Sequence, residues 1–157
     1  MPTVPFTPPW TGSQLSRNGL RAIWRDWFDG SVAKRATDIV TLGSVSTGGG
    51  NFGPQYTPMW ARGIKVFINV TAIGGTNPSL LVAVYGYDPV AKTNYSQILI
   101  NAGVTTTGLS TLTVHPSLAN VANVVQNDLL PGVFTIGWLL NGTNPTVTFS
   151  AGYQLLP

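Results

Sequence analysis

Gly63-Ile64-Lys65-Val66-Phe67-Ile68-Asn69-Val70-Thr71-Ala72 carries Ile64, Val66, Ile68, Val70 and Ala72 at alternate positions. Lys65, Phe67, Asn69 and Thr71 stand between them. A period of two is the signature of a strand with one face buried. Working outward, the same grammar recurs at about 79–87, 95–100, 109–114, 133–140 and 146–155, with an earlier candidate over Ile39–Val45. Turn-forming residues separate these runs: Gly74-Gly75-Thr76-Asn77-Pro78, Asp88-Pro89, Asn101-Ala102-Gly103, His115-Pro116, Pro131-Gly132 and Asn141-Gly142-Thr143-Asn144-Pro145. Short strands with frequent turns predict an all-β body, a β-sandwich of jelly-roll-like kind. Pro116–Asn127 is open between a short helix and a long crossover.

The body echoes itself. Val66-Phe67 precedes Gly75-Thr76-Asn77-Pro78, and Val133-Phe134 precedes Gly142-Thr143-Asn144-Pro145, with an offset of 67 in both parts. An apolar run holding tyrosine follows each copy: Tyr85 and Tyr87 in the first, Tyr153 in the second. This reads as two equivalent hairpins, each turning at Gly-Thr-Asn-Pro. Two copies are too few for a solenoid.

The N-terminal part has a different character. Residues 1–12 are proline-rich and predict an extended arm punctuated by Phe6 and Trp10. Residues 13–29 predict the one helix, with Leu20, Ile23, Trp24, Trp27 and Phe28 on an apolar stripe. Arg17, Arg21 and Arg25 line an adjacent stripe, and Asp29-Gly30 supplies a stop. Residues 43–58, centred on Gly48-Gly49-Gly50, predict a loop or linker. The expected division is therefore 1–58 for arm, helix and linker, and 59–157 for the β-sandwich.

Charge is scarce and lopsided. Charged residues make up 8% of the chain, against about 25% in ordinary soluble domains. Arg17, Arg21, Arg25, Asp26, Asp29, Lys34, Arg35 and Asp38 cluster early, whereas from Val66 to Pro157 only Asp88, Lys92 and Asp128 occur. There is no glutamate and no cysteine. Low charge invites association, so partners are expected to cover part of the surface. The lack of cysteine fits assembly in a reducing cytoplasm. The first residues read as neither a signal peptide nor a membrane span.

Catalytic chemistry finds little to work with. His115 is the sole histidine, precedes proline in a turn, and has no Gly-x-Ser-x-Gly elbow to serve. Asp88 and Asp128 sit in turn contexts where aspartate serves the backbone. Gly48–Gly53 matches Gly-x-Gly-x-x-Gly, but Pro54 follows where a helix should begin. One histidine without cysteine makes a poor zinc site. The expectation is a non-enzymatic protein without metal or cofactor.

The arginine stripe with Trp24 and Trp27 admits four readings. It contacts nucleic acid, lies on a membrane surface, docks on a partner through tryptophan and arginine anchors, or is a solvated face whose tryptophans pack on the body. Three basic residues beside Asp26 and Asp29 are thin for nucleic acid. Tyr85, Tyr87, Tyr95 and Tyr153 read as packing residues first and as a carbohydrate platform second. The residues expected to contact a protein partner are Phe6, Trp10, Arg17, Arg21, Trp24, Arg25, Trp27 and Phe28.

Residues 112–131, Leu-Thr-Val-His-Pro-Ser-Leu-Ala-Asn-Val-Ala-Asn-Val-Val-Gln-Asn-Asp-Leu-Leu-Pro, run into a closing segment, Thr146 to Leu156. That segment reads Thr-Val-Thr-Phe-Ser-Ala-Gly-Tyr-Gln-Leu-Leu. Over about residues 109–157 this resembles small β-sandwich virion proteins of tailed bacteriophages. Those have a strand, an alanine/asparagine-rich crossover, an Asn-Asp-x-Leu-Pro turn and a closing Val-Thr-x-Ser-x-Gly-x-x-Leu strand. The arm and helix are not part of that pattern. The resemblance implies a capsid decoration protein or a minor tail or neck component, located in the virion. Its partners would be the major capsid protein or other virion proteins, and further copies of itself. The other classes open are a carbohydrate- or receptor-binding module, and a jelly-roll coat protein whose arm faces nucleic acid.

Overall fold

Residues 63–72 form the expected strand, but the strand does not stop at Ala72. In a computed structural model describing Val40–Val45 and residues 48–157, it runs unbroken from Gly63 to Asp88. The described residues are all-β. The strands are β1 (Val40–Val45), β2 (Gly49–Asn51), β3 (Gln55–Tyr56), β4 (Gly63–Asp88), β5 (Thr93–Ile100), β6 (Gly108–Val114), β7 (Val125–Gln126) and β8 (Val133–Leu156). They make one mixed sheet of eight strands, in which only the β6–β7 pair is parallel. The arm over 1–12 and the helix over 13–29 lie outside the described residues.

β4 has 26 residues and β8 has 24, and the two pair antiparallel along their whole length. The Gly-Thr-Asn-Pro segments are therefore not hairpin turns. They lie opposite one another in mid-strand, where Gly74 faces Thr146 and Thr76 faces Thr143. Asn77 and Asn144 both adopt left-handed backbone, as do Gly75 and Gly142. The contacts are reciprocal. A Cβ added at Gly75 would lie 2.6 Å from the Asn144 carbonyl oxygen, and one at Gly142 would lie 2.9 Å from the Asn77 carbonyl oxygen. The same residue types that close a hairpin thus let two strands cross closely without either reversing.

The strands fold back at this crossing. Phe134 and Tyr153 lie on one strand, nineteen residues apart, about 60 Å if the strand ran straight. Their ring centroids are 5.4 Å apart. Two leaves result. The first is β1, the C-terminal half of β8, the N-terminal half of β4, β6 and β7. The second is β2 with β3, the N-terminal half of β8, the C-terminal half of β4, and β5. Outer strand for outer strand, β1 corresponds to β5, and β6 corresponds to β2 with β3. The internal echo marks this equivalence. Its Val-Phe portion is out of phase by one residue, because Thr71 is an extra, unpaired residue in β4. Val66 and Phe134, not Phe67 and Phe134, are the pair that points inward.

The core lies between the leaves. Ile64, Val66, Ile68 and Val70 meet Leu80, Val82 and Val84 of the same strand, with Phe134, Ile136, Phe149 and Tyr153 from β8. Phe52, Trp138 and Phe149 join the leaves, with Trp138 centroids 4.6 Å from Phe52 and 5.9 Å from Phe149. The stretch expected as linker supplies β2 and β3, so chain before residue 59 is partly inside the sheet. Gly50 is required there because a Cβ would lie 2.9 Å from the Trp138 ring. Residues 116–127 form no helix. They cross over through the Val121–Val125 bridge and return as β7 beside β6.

Candidate interaction surface

The groups that could do chemistry are engaged by backbone. Asp88 Oδ1 accepts from the amides of Val90 and Ala91 at 2.8 and 3.1 Å. Asp128 Oδ1 accepts from Leu129 N at 2.7 Å. Ser117 N donates to His115 Nδ1 at 3.1 Å, which leaves the ring proton on Nε2, 2.8 Å from the Pro157 oxygen. Among the described residues no three His, Asp or Glu side chains gather as a metal-binding group. No described helix is long and apolar enough to cross a membrane. Gly48–Gly53 is edge strand and turn, closed by Gly53 N donating to Asn51 Oδ1, and not a phosphate loop.

The tyrosines do not share one platform. Tyr153 is buried between the leaves, its hydroxyl donating to Gln55 at 3.0 Å, and burial raises its pKa above 10.0. Tyr95 covers Gly86, where a Cβ would strike its ring. Tyr85 and Tyr87 lie together on the outer side of the second leaf, alternating with inward Val84 and Gly86. Asn101 is a further residue whose role the sequence hides. Read as a turn residue, it is buried and extends the ladder with its side chain, accepting from Val82 N and donating to the Leu80 carbonyl.

The outer faces of the two leaves are unlike. In the first, β4 presents Lys65, Phe67 and Asn69, opposite Gln154, Gly152 and Ser150 of β8 and Thr113, Thr111 and Leu109 of β6. Lys65 Nζ lies 5.6 Å from the Phe67 ring centroid, covering its apolar surface. In the second, β4 presents Leu81, Ala83 and Tyr85, opposite Leu139, Gly137 and Thr135 of β8, with Ile100 of β5 beside Ala83. Here both parities of each strand are apolar, the pattern of a strand covered on both sides. Two polar side chains on this face satisfy each other: Thr135 Oγ1 donates to Asn94 Oδ1 at 2.7 Å.

Phe6, Trp10, Arg17, Arg21, Trp24, Arg25, Trp27 and Phe28, expected from sequence as partner contacts, lie outside the described residues. The outer face of the second leaf was not singled out by sequence. The signal that finds it is the loss of apolar/polar alternation in 79–87 and 133–140. No family model, curated protein or solved structure matches the chain.

Proposed function

We propose that the protein is a non-enzymatic virion structural protein of a tailed bacteriophage, a decoration protein that binds and stabilises the assembled capsid. The folded-back sheet is read as a β-sandwich, the fold that the sequence resemblance implies. The N-terminal segment is the anchor, through Phe6, Trp10, Trp24, Trp27, Phe28 and the arginines at 17, 21 and 25. The β body is a neutral packing unit. The observation that carries this reading is the state of the body's own chemistry. Its histidine and both described aspartates serve the backbone, while its broad outer faces are nearly uncharged. Such a body suits contact with protein rather than turnover of substrate. Binding stabilises a capsid by mass action, because the ligand favours the assembled state.

The test is co-sedimentation with assembled capsids of the full chain and of a chain lacking residues 1–30. Loss of binding, with the β body still folded by circular dichroism, supports the anchor reading. Binding retained by the shortened chain overturns it. Steeply salt-dependent binding of the isolated protein to nucleic acid would place it with arm-bearing coat proteins instead.

A further inference from the structure

The outer face of the second leaf has the composition of an interior. Leu81 pairs with Leu139, Ala83 with Gly137 and Ile100, and Tyr85 with Thr135. Leu139 is 53% exposed, while Ala83 and Thr135 are already below 3% beneath their neighbours. Its sole hydrogen-bonding side-chain pair, Thr135 with Asn94, is satisfied within the face, so drying the face strands neither group.

We infer that this face is a self-association surface, on which the second leaf of one copy packs against the second leaf of another. The occupant follows from charge. In a two-fold interface the same patch meets itself, so any formal charge on it meets its own sign. Leu81, Ala83, Tyr85, Ile100, Thr135, Gly137 and Leu139 carry none. A partner selected by charge would find nothing to read here. The first leaf presents Lys65 and a hydroxyl-rich outer surface instead, and is not a self-complementary apolar patch.

The size of the face sets the strength. Four strands about 4.8 Å apart and five residues long, at about 3.3 Å each, give a footprint of about 300 Å². A stable free complex buries about 800 Å² per partner. Pairing is therefore weak between free molecules and is favoured where copies are held close together, as on a shared scaffold. This deepens the decoration reading by naming the body's own contact. The two are separable, because self-association is measured without capsids.

The chain has no cysteine, so single introduced thiols report position cleanly. Leu139→Cys is compared with Leu109→Cys, on the first leaf's outer side and 79% exposed, and with Val90→Cys, in the β4–β5 turn and 90% exposed. Each full-length variant is treated at high concentration with a short bis-maleimide. Leu139→Cys should form covalent dimer at least ten times faster than either control. Equal rates at the three positions overturn the inference. So does slow alkylation of the Leu139→Cys thiol by iodoacetamide in the native protein, since the face is then covered within one molecule. Gln97→Cys, beside Tyr85 on the same face, repeats the test if Leu139→Cys melts at lower temperature than the wild type. Loss of capsid binding with fast cross-linking sinks the decoration reading alone.

Discussion

The first leaf turns Lys65, Asn69, Ser150 and Gln154 outward, whereas the second turns Leu81, Tyr85, Ile100 and Leu139 outward, although both are cut from the same two strands. Their inner faces are matched in kind, Ile64, Val66 and Ile68 against Leu80, Val82 and Val84. Inner packing therefore does not explain the difference. What separates the leaves is what each must meet on its other side. A polar outer face is finished in water, and an apolar one is finished by a neighbour. The crossing at Gly-Thr-Asn-Pro is the boundary between these two conditions within single strands.

The largest effect should come from cutting the tie between the leaves. Phe149 is fully buried on the first leaf and meets Trp138 and Phe52 from the second side. Phe149→Ala should cost about 3–5 kcal/mol in denaturant unfolding. Phe67→Ala, on the first leaf's outer face, should cost about 1 kcal/mol. Similar losses at both sites would mean that the first leaf's outer face is as tightly covered as the core.

The crossing comes next. Gly75→Ala and Gly142→Ala each place a Cβ against the other strand's backbone at left-handed φ. Each should destabilise by about 2 kcal/mol, and by similar amounts. The double variant should cost less than the sum, because one displaced crossing relieves both contacts. A large difference between the two sites would break the equivalence of the leaves.

The smallest effect is at alkaline pH. Burial between the leaves raises the Tyr153 pKa above its ordinary 10.0. The folded chain then holds this proton after the unfolded chain has released it. The stabilisation is complete below pH 10 and is lost as pH rises through the folded value. Unfolding midpoints should fall above pH 10 in the wild type, and fall less steeply in Tyr153→Phe.

Much of the architecture is legible in sequence because strands advertise their period. Ile64 to Val70, Leu109 to Val114 and Val147 to Tyr153 all obey it. The connections are less legible, since a glycine or asparagine with left-handed backbone serves a turn and a strand crossing alike. Gly75 and Gly142 were read as turns for that reason. Gly48–Gly50 were read as linker because the reason for Gly50 is Trp138, far away in sequence. Asn101 looks like any turn asparagine until its side chain is seen bonded to Leu80 and Val82. The candidate surface was hidden for a different cause. Where both parities of a strand are apolar, period alone cannot distinguish the core face from the outer one.

The long pairing of β4 with β8 has a consequence for how the body is made. β8 is the last described strand in chain order, yet it contributes a central strand to both leaves, and β1, β2 and β3 hydrogen-bond to nothing else in the sheet. Each of those strands must wait for a partner about ninety or more residues further along the chain. Neither leaf closes until Val133–Leu156 has been synthesised, so folding is expected to be slow and to begin late. Until then, the apolar runs of β4 remain exposed to self-association or to whatever protects nascent chains in the cell.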